Sequence, residues 1–144
     1  MTTAGTAYAS VVTGRGTALR GPLGVAALAV AAAGVVALVD PNEPGHYPTC
    51  PFLAATGRYC PGCGALRSVH ALTHGDVATA VGLNVLTVLG VAALVVIWLR
   101  WARRSWTGAR RTTVTPPAVL YSFLVVVVVF GVVRNLPVGA FLAP

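Results

Sequence analysis

Two long runs without a charged residue constrain this chain more than any other feature of its sequence. Residues 22–39 and residues 78–99 contain no Asp, Glu, Lys or Arg. An α-helix rises about 1.5 Å per residue, so helices over these runs would extend about 27 Å and about 33 Å, close to the thickness of a bilayer's hydrocarbon core. Trp98, Trp101 and several arginines close the second run, as is typical of a membrane–water interface. We predict that both runs are membrane-spanning helices.

A third apolar run covers residues 118–133. Its Val125–Val129 stretch is β-branched and would favour a strand in a soluble protein. In lipid, however, every backbone polar group must be satisfied within a helix or a closed barrel, and no other segment of this chain resembles a barrel strand. We therefore predict a third spanning helix, with Pro116 and Pro117 near its first turn, where a missing N–H costs nothing.

The first run has one alternative interpretation, a cleaved signal peptide. The run is longer than the apolar core of a typical signal peptide, and Asp40-Pro41-Asn42 after it lacks a small-residue cleavage site. Ala31-Ala32-Ala33 leaves the alternative open.

The composition agrees with a membrane protein and excludes other classes. Hydrophobic residues make up 56% of the chain and charged residues 9%, whereas a soluble domain has about 25% charged residues. The net charge of +7 does not indicate nucleic-acid binding, because the chain has no lysine and its arginines flank the apolar runs. We predict an all-α membrane protein in contact with the lipid bilayer, with a cytoplasmic segment over residues 1–20 and a single membrane domain over residues 21–144.

The distribution of arginines predicts the orientation. Seven arginines and no acidic residue lie in the amino-terminal segment and the 100–111 loop: Arg15, Arg20, Arg100, Arg103, Arg104, Arg110 and Arg111. The 40–76 loop and the carboxyl-terminal tail carry three arginines and three acids: Arg58, Arg67, Arg134, Asp40, Glu43 and Asp76. The positive-inside rule therefore places the amino terminus in the cytoplasm, and the 40–76 loop and carboxyl terminus outside.

The 40–76 loop carries the residues that can do chemistry. Every cysteine and every histidine of the chain lies between residues 46 and 74. Residues 64–73 after the Cys60-Pro-Gly-Cys63 motif have helical spacing but are too few to span a membrane. We predict a short interfacial or re-entrant helix there, and we expect Asp76 to cap the second spanning helix.

Three interpretations of the cysteines compete. A structural disulfide is natural in an oxidising compartment, although three cysteines would leave one thiol unpaired. A zinc site is the second, because Cys60-Pro-Gly-Cys63-Gly is similar to one knuckle of the zinc-ribbon and rubredoxin families. Zinc needs four ligands; Cys50 would be the third, and the candidates for the fourth are His70, His74 and His46.

Thiol–disulfide chemistry is the third interpretation. A Cys-x-x-Cys motif at the start of a helix lowers the pKa of a thiol. Against it, the chain has no thioredoxin-like βαβ pattern, and proteins similar to vitamin K epoxide reductase need a second cysteine pair, for which only Cys50 is available. For the disulfide and the metal site alike, we predict that all three sulfurs cluster beside the start of the 64–73 helix, with Thr56-Gly57 providing the turn after Cys50.

Four further polar residues are candidates for a functional role. Arg67 is either a surface arginine that contacts phosphates or a cation at membrane depth that pairs with Asp76 or with a partner's acid. Asn84 lies inside the second apolar run, where a hydrogen bond to a neighbouring segment is the more common role. Arg134 follows the third run.

Several of these residues together resemble a known family, domain of unknown function 2752. The similar positions are Cys50-Pro51, Thr56-Gly57, Cys60-Pro-Gly-Cys63-Gly64, Arg67, Gly75-Asp76, Asn84, Arg134-Asn135-Leu136-Pro137, Phe141 and Pro144. The resemblance covers roughly residues 45–144 and implies a small bacterial membrane protein without an assigned activity. The family commonly has proline after the matching asparagine, whereas this chain has Val85, which puts a local kink there in question.

The sequence favours an accessory or scaffold protein of the bacterial cytoplasmic membrane, with a structural or zinc-binding cysteine loop used in contacts with other membrane proteins or with further copies. One alternative is a membrane thiol–disulfide oxidoreductase that uses Cys60 and Cys63. The other is a subunit of an oligomeric transporter or channel in which Arg67, Asp76 and Asn84 line the path. The chain lacks a P-loop and a Gly-x-Ser-x-Gly motif, so nucleotide and hydrolase chemistry have no support and a non-enzymatic role is preferred.

Overall fold

Helices are the only regular secondary structure in the described part of the chain. The computed structural model describes residues 3–109 and 116–143, with side chains from residue 19 onward, and contains no strand in these ranges. Arg110, Arg111 and Pro144 lie outside the described residues, as does the side chain of Arg15. The elements, in chain order, are α1 (Thr3–Leu38), α2 (Pro51–Thr56), α3 (Ala65–Thr73), α4 (Val77–Thr107), α5 (Pro117–Val133) and a 3₁₀ helix (Pro137–Leu142).

Two of these helices are long and apolar enough to cross a membrane. They are Leu19–Leu38, within α1, and Val77–Thr107, which is α4. Only 6% and 11% of their most apolar stretches are buried inside the chain, so neither is the covered core helix of a soluble domain. Large apolar side chains such as Leu28, Val30 and Leu94 are about two-thirds exposed or more. Such a surface is stable when its solvent is lipid.

The prediction of three spans is not confirmed. Residues 118–133 are helical, so the choice of helix over strand for the valine run is correct. However, α5 has only 17 residues, fewer than the 20 and 31 residues of the two helices that are long enough to cross a membrane. The chain then turns at Arg134 and continues as the 3₁₀ helix instead of prolonging α5.

The described residues divide into two compact units. The first contains the amino-terminal part of α1 and the carboxyl-terminal part of α4. Within it, the indole Nε1 of Trp98 donates to the carbonyl oxygen of Pro22 at 3.0 Å. The ring of Trp101 lies 3.2 Å from the position that a Cβ on Gly21 would take, so this glycine allows the two helices to approach.

The second unit contains the end of α1, the cysteine loop, the beginning of α4, and α5 with the 3₁₀ helix. Here α3 contacts α4: the buried Ser68 hydroxyl of α3 donates a hydrogen bond to the carbonyl oxygen of Ala80 in α4 at 2.9 Å. The predicted cap is confirmed, since the backbone N–H of Thr79 donates to the Asp76 carboxylate at 2.9 Å. The short helix predicted over residues 64–73 is present as α3.

Helix α4 is kinked at Asn84 although no proline follows it. The backbone of Asn84 has φ −164° and ψ 93°, far from helical values. Its side-chain Oδ1 accepts a hydrogen bond from the backbone N–H of Thr87 at 3.0 Å, as an N-cap residue does. The asparagine side chain therefore restarts the helix by itself, and Val85 in place of proline does not remove the kink.

Candidate metal centre

The three cysteine sulfurs converge, as the sequence predicts. The sulfur of Cys60 lies 3.5 Å from that of Cys50 and 3.3 Å from that of Cys63. All three sulfurs lie within 4.8 Å of one another, close enough to hold a common metal ion. The three residues are free thiols, Cys63 being buried and the other two partly exposed.

A one-and-a-half-turn helix brings Cys50 back to the other two cysteines. Cys50 is the residue before α2, whose first residue is Pro51. The helix ends at Gly57, which adopts a left-handed conformation with φ +67° and donates its N–H to the carbonyl of Leu53 at 2.9 Å. Only glycine takes this conformation without strain. The turn predicted at Thr56-Gly57 is thus confirmed.

The Cys60–Cys63 segment is a tight turn that leads directly into α3. The N–H of Cys63 donates to the carbonyl of Cys60 at 3.1 Å, and the N–H of Ala65 donates to that of Gly62 at 3.0 Å. Gly64 has φ +80° and starts α3. The sulfur cluster therefore lies beside the first turn of α3, as the sequence predicts.

The carbonyl groups of this turn are bound by a buried arginine from the far end of the chain. Arg134, at the end of α5, is only 1% exposed. Its Nη1 donates to the carbonyl oxygens of Cys60, Pro61 and Cys63 at 3.0, 3.3 and 3.1 Å, and its Nη2 donates to that of Leu142 at 2.9 Å. One side chain thus ties the cysteine turn to α5 and to the 3₁₀ helix.

Two asparagines complete this support. Asn84 at the α4 kink is 1% exposed, and its Nδ2 donates to the carbonyls of Pro61 and Cys63 at 2.9 and 3.0 Å. Asn135 accepts from the N–H of Tyr59 at 2.9 Å and donates to its carbonyl at 2.7 Å. The cysteine turn and the preceding Tyr59 are therefore held from α4 and from the end of α5 by side chains whose hydrogen bonds go to backbone groups.

A glycine allows α5 to approach the turn. A Cβ placed on Gly131 would come 2.8 Å from Cγ of Pro61, closer than real side chains lie. In the sequence this residue appears only as a small residue within a valine-rich run. The need for glycine at position 131 comes from the close contact with Pro61, which is distant in the sequence.

The two histidines predicted as metal ligands are not part of the sulfur cluster. In the described ranges, the group of convergent ligating atoms comprises the three cysteines alone. The Nδ1 of His70 lies 2.8 Å from the carbonyl oxygen of Val36, and its Nε2 lies 3.7 Å from the Asp40 carboxylate. The Nδ1 of His74 lies 2.9 Å from the carbonyl oxygen of His70. The ring of His70 therefore contacts α1 and the residue Asp40 that follows it, and the ring of His74 contacts the backbone of α3.

Arg67 and Asp76, a possible ion pair in the sequence analysis, have separate roles in the structure. Asp76 caps α4, and the hydrogen bonds from Thr79 lower the pKa of its carboxyl group. Arg67 is exposed and lines a cavity of about 510 Å³ that also borders Cys50 and Cys63. Over the residues that the structure describes, no ion pair joins Arg67 to Asp76.

The environments of the thiols differ in a way that matters for metal binding. Burial, together with the neighbouring Cys60 thiol, raises the pKa of Cys63 to about 11. The backbone N–H of Leu53, followed by the Cys60 thiol, lowers the pKa of Cys50. Without a metal, Cys63 is therefore protonated at neutral pH, and a metal ion that binds here must displace its proton.

The cysteine turn, α3 and the Asn84 kink form one continuous segment with a recognisable pattern. Residues 50–98 match the family described as protein of unknown function, DUF2752. The DUF2752 match includes all three cysteines and Asn84 but ends before Arg134. No curated protein and no solved structure matches the chain.

Proposed function

We propose that this chain is a multi-pass protein of the bacterial cytoplasmic membrane whose extracytoplasmic cysteine loop holds a zinc-type metal ion as a structural centre for contacts with other membrane proteins. The observation that carries the proposal is the convergence of three sulfurs within 4.8 Å. Thiolates select soft or borderline ions such as Zn²⁺. In tetrahedral zinc geometry, sulfurs about 2.3 Å from the metal lie about 3.8 Å apart, near the separations of 3.3 and 3.5 Å between the cysteines.

The buried charge of Arg134 supports a metal-bound thiolate state. A buried cation is costly unless an anion compensates it. No carboxylate lies within ion-pair distance of Arg134 in the parts of the chain that the structure describes. A divalent ion with three thiolates carries one net negative charge, and it would sit on the turn whose carbonyls Arg134 binds. The metal centre and the arginine therefore compensate each other.

The surroundings of the site favour a structural rather than a catalytic role. A metal on the three sulfurs would link the segment before α2 to the turn before α3, and Arg134 links that turn to α5. The apolar faces of α1 and α4 remain exposed and available to lipid or to other membrane helices. A metal-stabilised loop between such helices presents a rigid surface to a partner.

Removing single ligands tests the proposal. We expect Cys50→Ser, Cys60→Ser and Cys63→Ser each to lower the zinc affinity of the purified chain by about tenfold or more, since each removes one of three protein ligands. The matched controls are His70→Gln and His74→Gln, which should retain the affinity of the wild type. Zinc affinity is measured by competition with a chromophoric chelator in detergent. Loss of zinc in the histidine variants, with retention in a cysteine variant, would contradict the assignment.

The orientation is tested separately. The arginine count is seven to three in favour of the amino-terminal side. We therefore expect the carboxyl terminus to be extracytoplasmic, which requires that α5 also crosses the membrane. An alkaline phosphatase fused to the carboxyl terminus should be active in bacterial cells, and a fluorescent protein fused there should be dark. The opposite pair of results would place the cysteine loop, by the same topology, in the reducing cytoplasm.

A second candidate function, thiol–disulfide exchange, is favoured by one observation. The Cys60 sulfur is within 3.5 Å of both other sulfurs, so a disulfide could pass between two partners. This function requires a stable oxidised form of the purified chain, with a disulfide that a dithiol reduces reversibly. A chain that keeps three thiols and its metal in air would not fit it.

A further inference from the structure

The cavity beside the sulfurs is walled by two segments of the cysteine loop. Its volume of about 510 Å³ is within the range of small-molecule sites. Residues 41–49, with the exception of His46, and residues 62–67 line the cavity. Cys50 and Cys63 border it, whereas Cys60 does not. A metal on the three sulfurs would therefore face this cavity on the side between Cys50 and Cys63.

The protein supplies three ligands for a metal that usually takes four. Among the described residues, no other His, Cys, Asp or Glu has a ligating atom close to the three sulfurs. His46 is turned to its own segment, with Nδ1 2.9 Å from the carbonyl oxygen of Asp40 and Nε2 3.4 Å from the carboxylate of Glu43. Zinc sites with three protein ligands keep the fourth position for water or an exogenous ligand.

The charges around the cavity indicate which ligand fits. Glu43 lines one wall, where its carboxylate faces the imidazole of His46. Arg67 also lines the cavity and is exposed. If a fourth thiolate bound, the centre would carry two net negative charges, and Arg134, which binds the carbonyls of the cysteine turn, would compensate one of them.

We propose that the fourth coordination position of the metal takes the sulfur of a low-molecular-weight thiol that enters this cavity, an inference that rests on the metal centre proposed above. The bond that forms joins metal and sulfur. The thiol proton leaves to solvent, the water at the fourth position is displaced, and no electron is transferred. A soft sulfur donor suits a centre that already has three thiolates, and Arg67 favours a thiol that carries an additional anionic group.

The test uses the full chain in detergent, loaded with zinc, and mercaptoacetate as the ligand. Calorimetry should show saturable binding of one mercaptoacetate per zinc to the loaded chain and none to the metal-free chain. (Methylthio)acetate, which has the same carboxylate but no free thiol, should not bind. Arg67→Gln should weaken mercaptoacetate binding about threefold, the effect expected of an exposed ion pair. The matched control Arg58→Gln, outside this cavity, should bind like the wild type.

The outcomes separate this proposal from the metal centre itself. A chain that holds one zinc on three cysteines but shows no saturable mercaptoacetate binding would overturn the thiol proposal and leave the metal centre in place. Equal binding of (methylthio)acetate, or extraction of zinc by mercaptoacetate, would overturn it as well. A chain that binds no zinc would overturn both. Binding of mercaptoacetate with loss of affinity in Arg67→Gln would support it.

Discussion

Arg134→Met is expected to destabilise the protein by about 3 kcal/mol or more. The substitution leaves the carbonyls of Cys60, Pro61 and Cys63 without their charged donor in a buried site. It also removes the cation that compensates the metal–thiolate centre, so zinc affinity should fall about tenfold. The loss of stability is measured by chemical unfolding of the full, metal-free chain in detergent. The loss of zinc affinity is measured by competition with a chelator.

The matched control for this variant is Arg58→Met. Arg58 is exposed, and within the described residues its side chain makes no hydrogen bond, so the same chemical change should alter the free energy of unfolding by less than about 0.5 kcal/mol. Equal stability of the two variants would mean that the contacts of Arg134 with the cysteine turn do not stabilise the folded chain.

Asn84→Leu is expected to destabilise the protein by about 2 kcal/mol. It removes the donor to the carbonyls of Pro61 and Cys63 and the acceptor that restarts α4 after the kink. The exposed Asn42 offers a comparison: its side chain donates only to the nearby Asp40 carboxylate, at 2.7 Å, so Asn42→Leu should cost less than about 1 kcal/mol. Unfolding in detergent, followed by circular dichroism, measures both variants.

A double variant examines whether Asn84 and Arg134 act on the same structure. Both donate to the carbonyls of Pro61 and Cys63, so their effects on stability should be non-additive by about 0.5 kcal/mol or more. Effects that add within about 0.3 kcal/mol would show that the two side chains stabilise independent parts of the molecule.

The local features of this fold could be predicted from the sequence because each depends on neighbouring residues. The charge-free runs mark α1 and α4, Asp76 is placed to cap α4, and Gly57 provides the left-handed residue that returns Cys50 to the other cysteines. The convergence of the sulfurs follows from these local turns. The bounds of α5 were predicted to within one residue, but the prediction that it spans the membrane is not confirmed, because an apolar run alone does not show how far a helix extends through the bilayer.

The support beneath the cysteines could not be predicted, because its parts are far apart in the sequence. Arg134 and Cys60 are separated by 74 positions, and no local pattern connects them. Asn135 and Tyr59, separated by 76, are a similar case. The histidines illustrate the converse: His70 and His74 lie close to the motif in sequence, but α3 directs His70 to the end of α1 and away from the sulfurs.

A combined count of metal ions and thiols on the purified chain tests most directly whether the three cysteines hold a metal. The protein is purified in detergent under air without added chelator, its metal content is measured by mass spectrometry, and its thiols are titrated before and after denaturation. We predict one metal ion per chain and three thiols that react only when denaturation releases the ion. A chain without metal, in which a single thiol reacts after denaturation, would contradict the metal centre and identify a disulfide in its place.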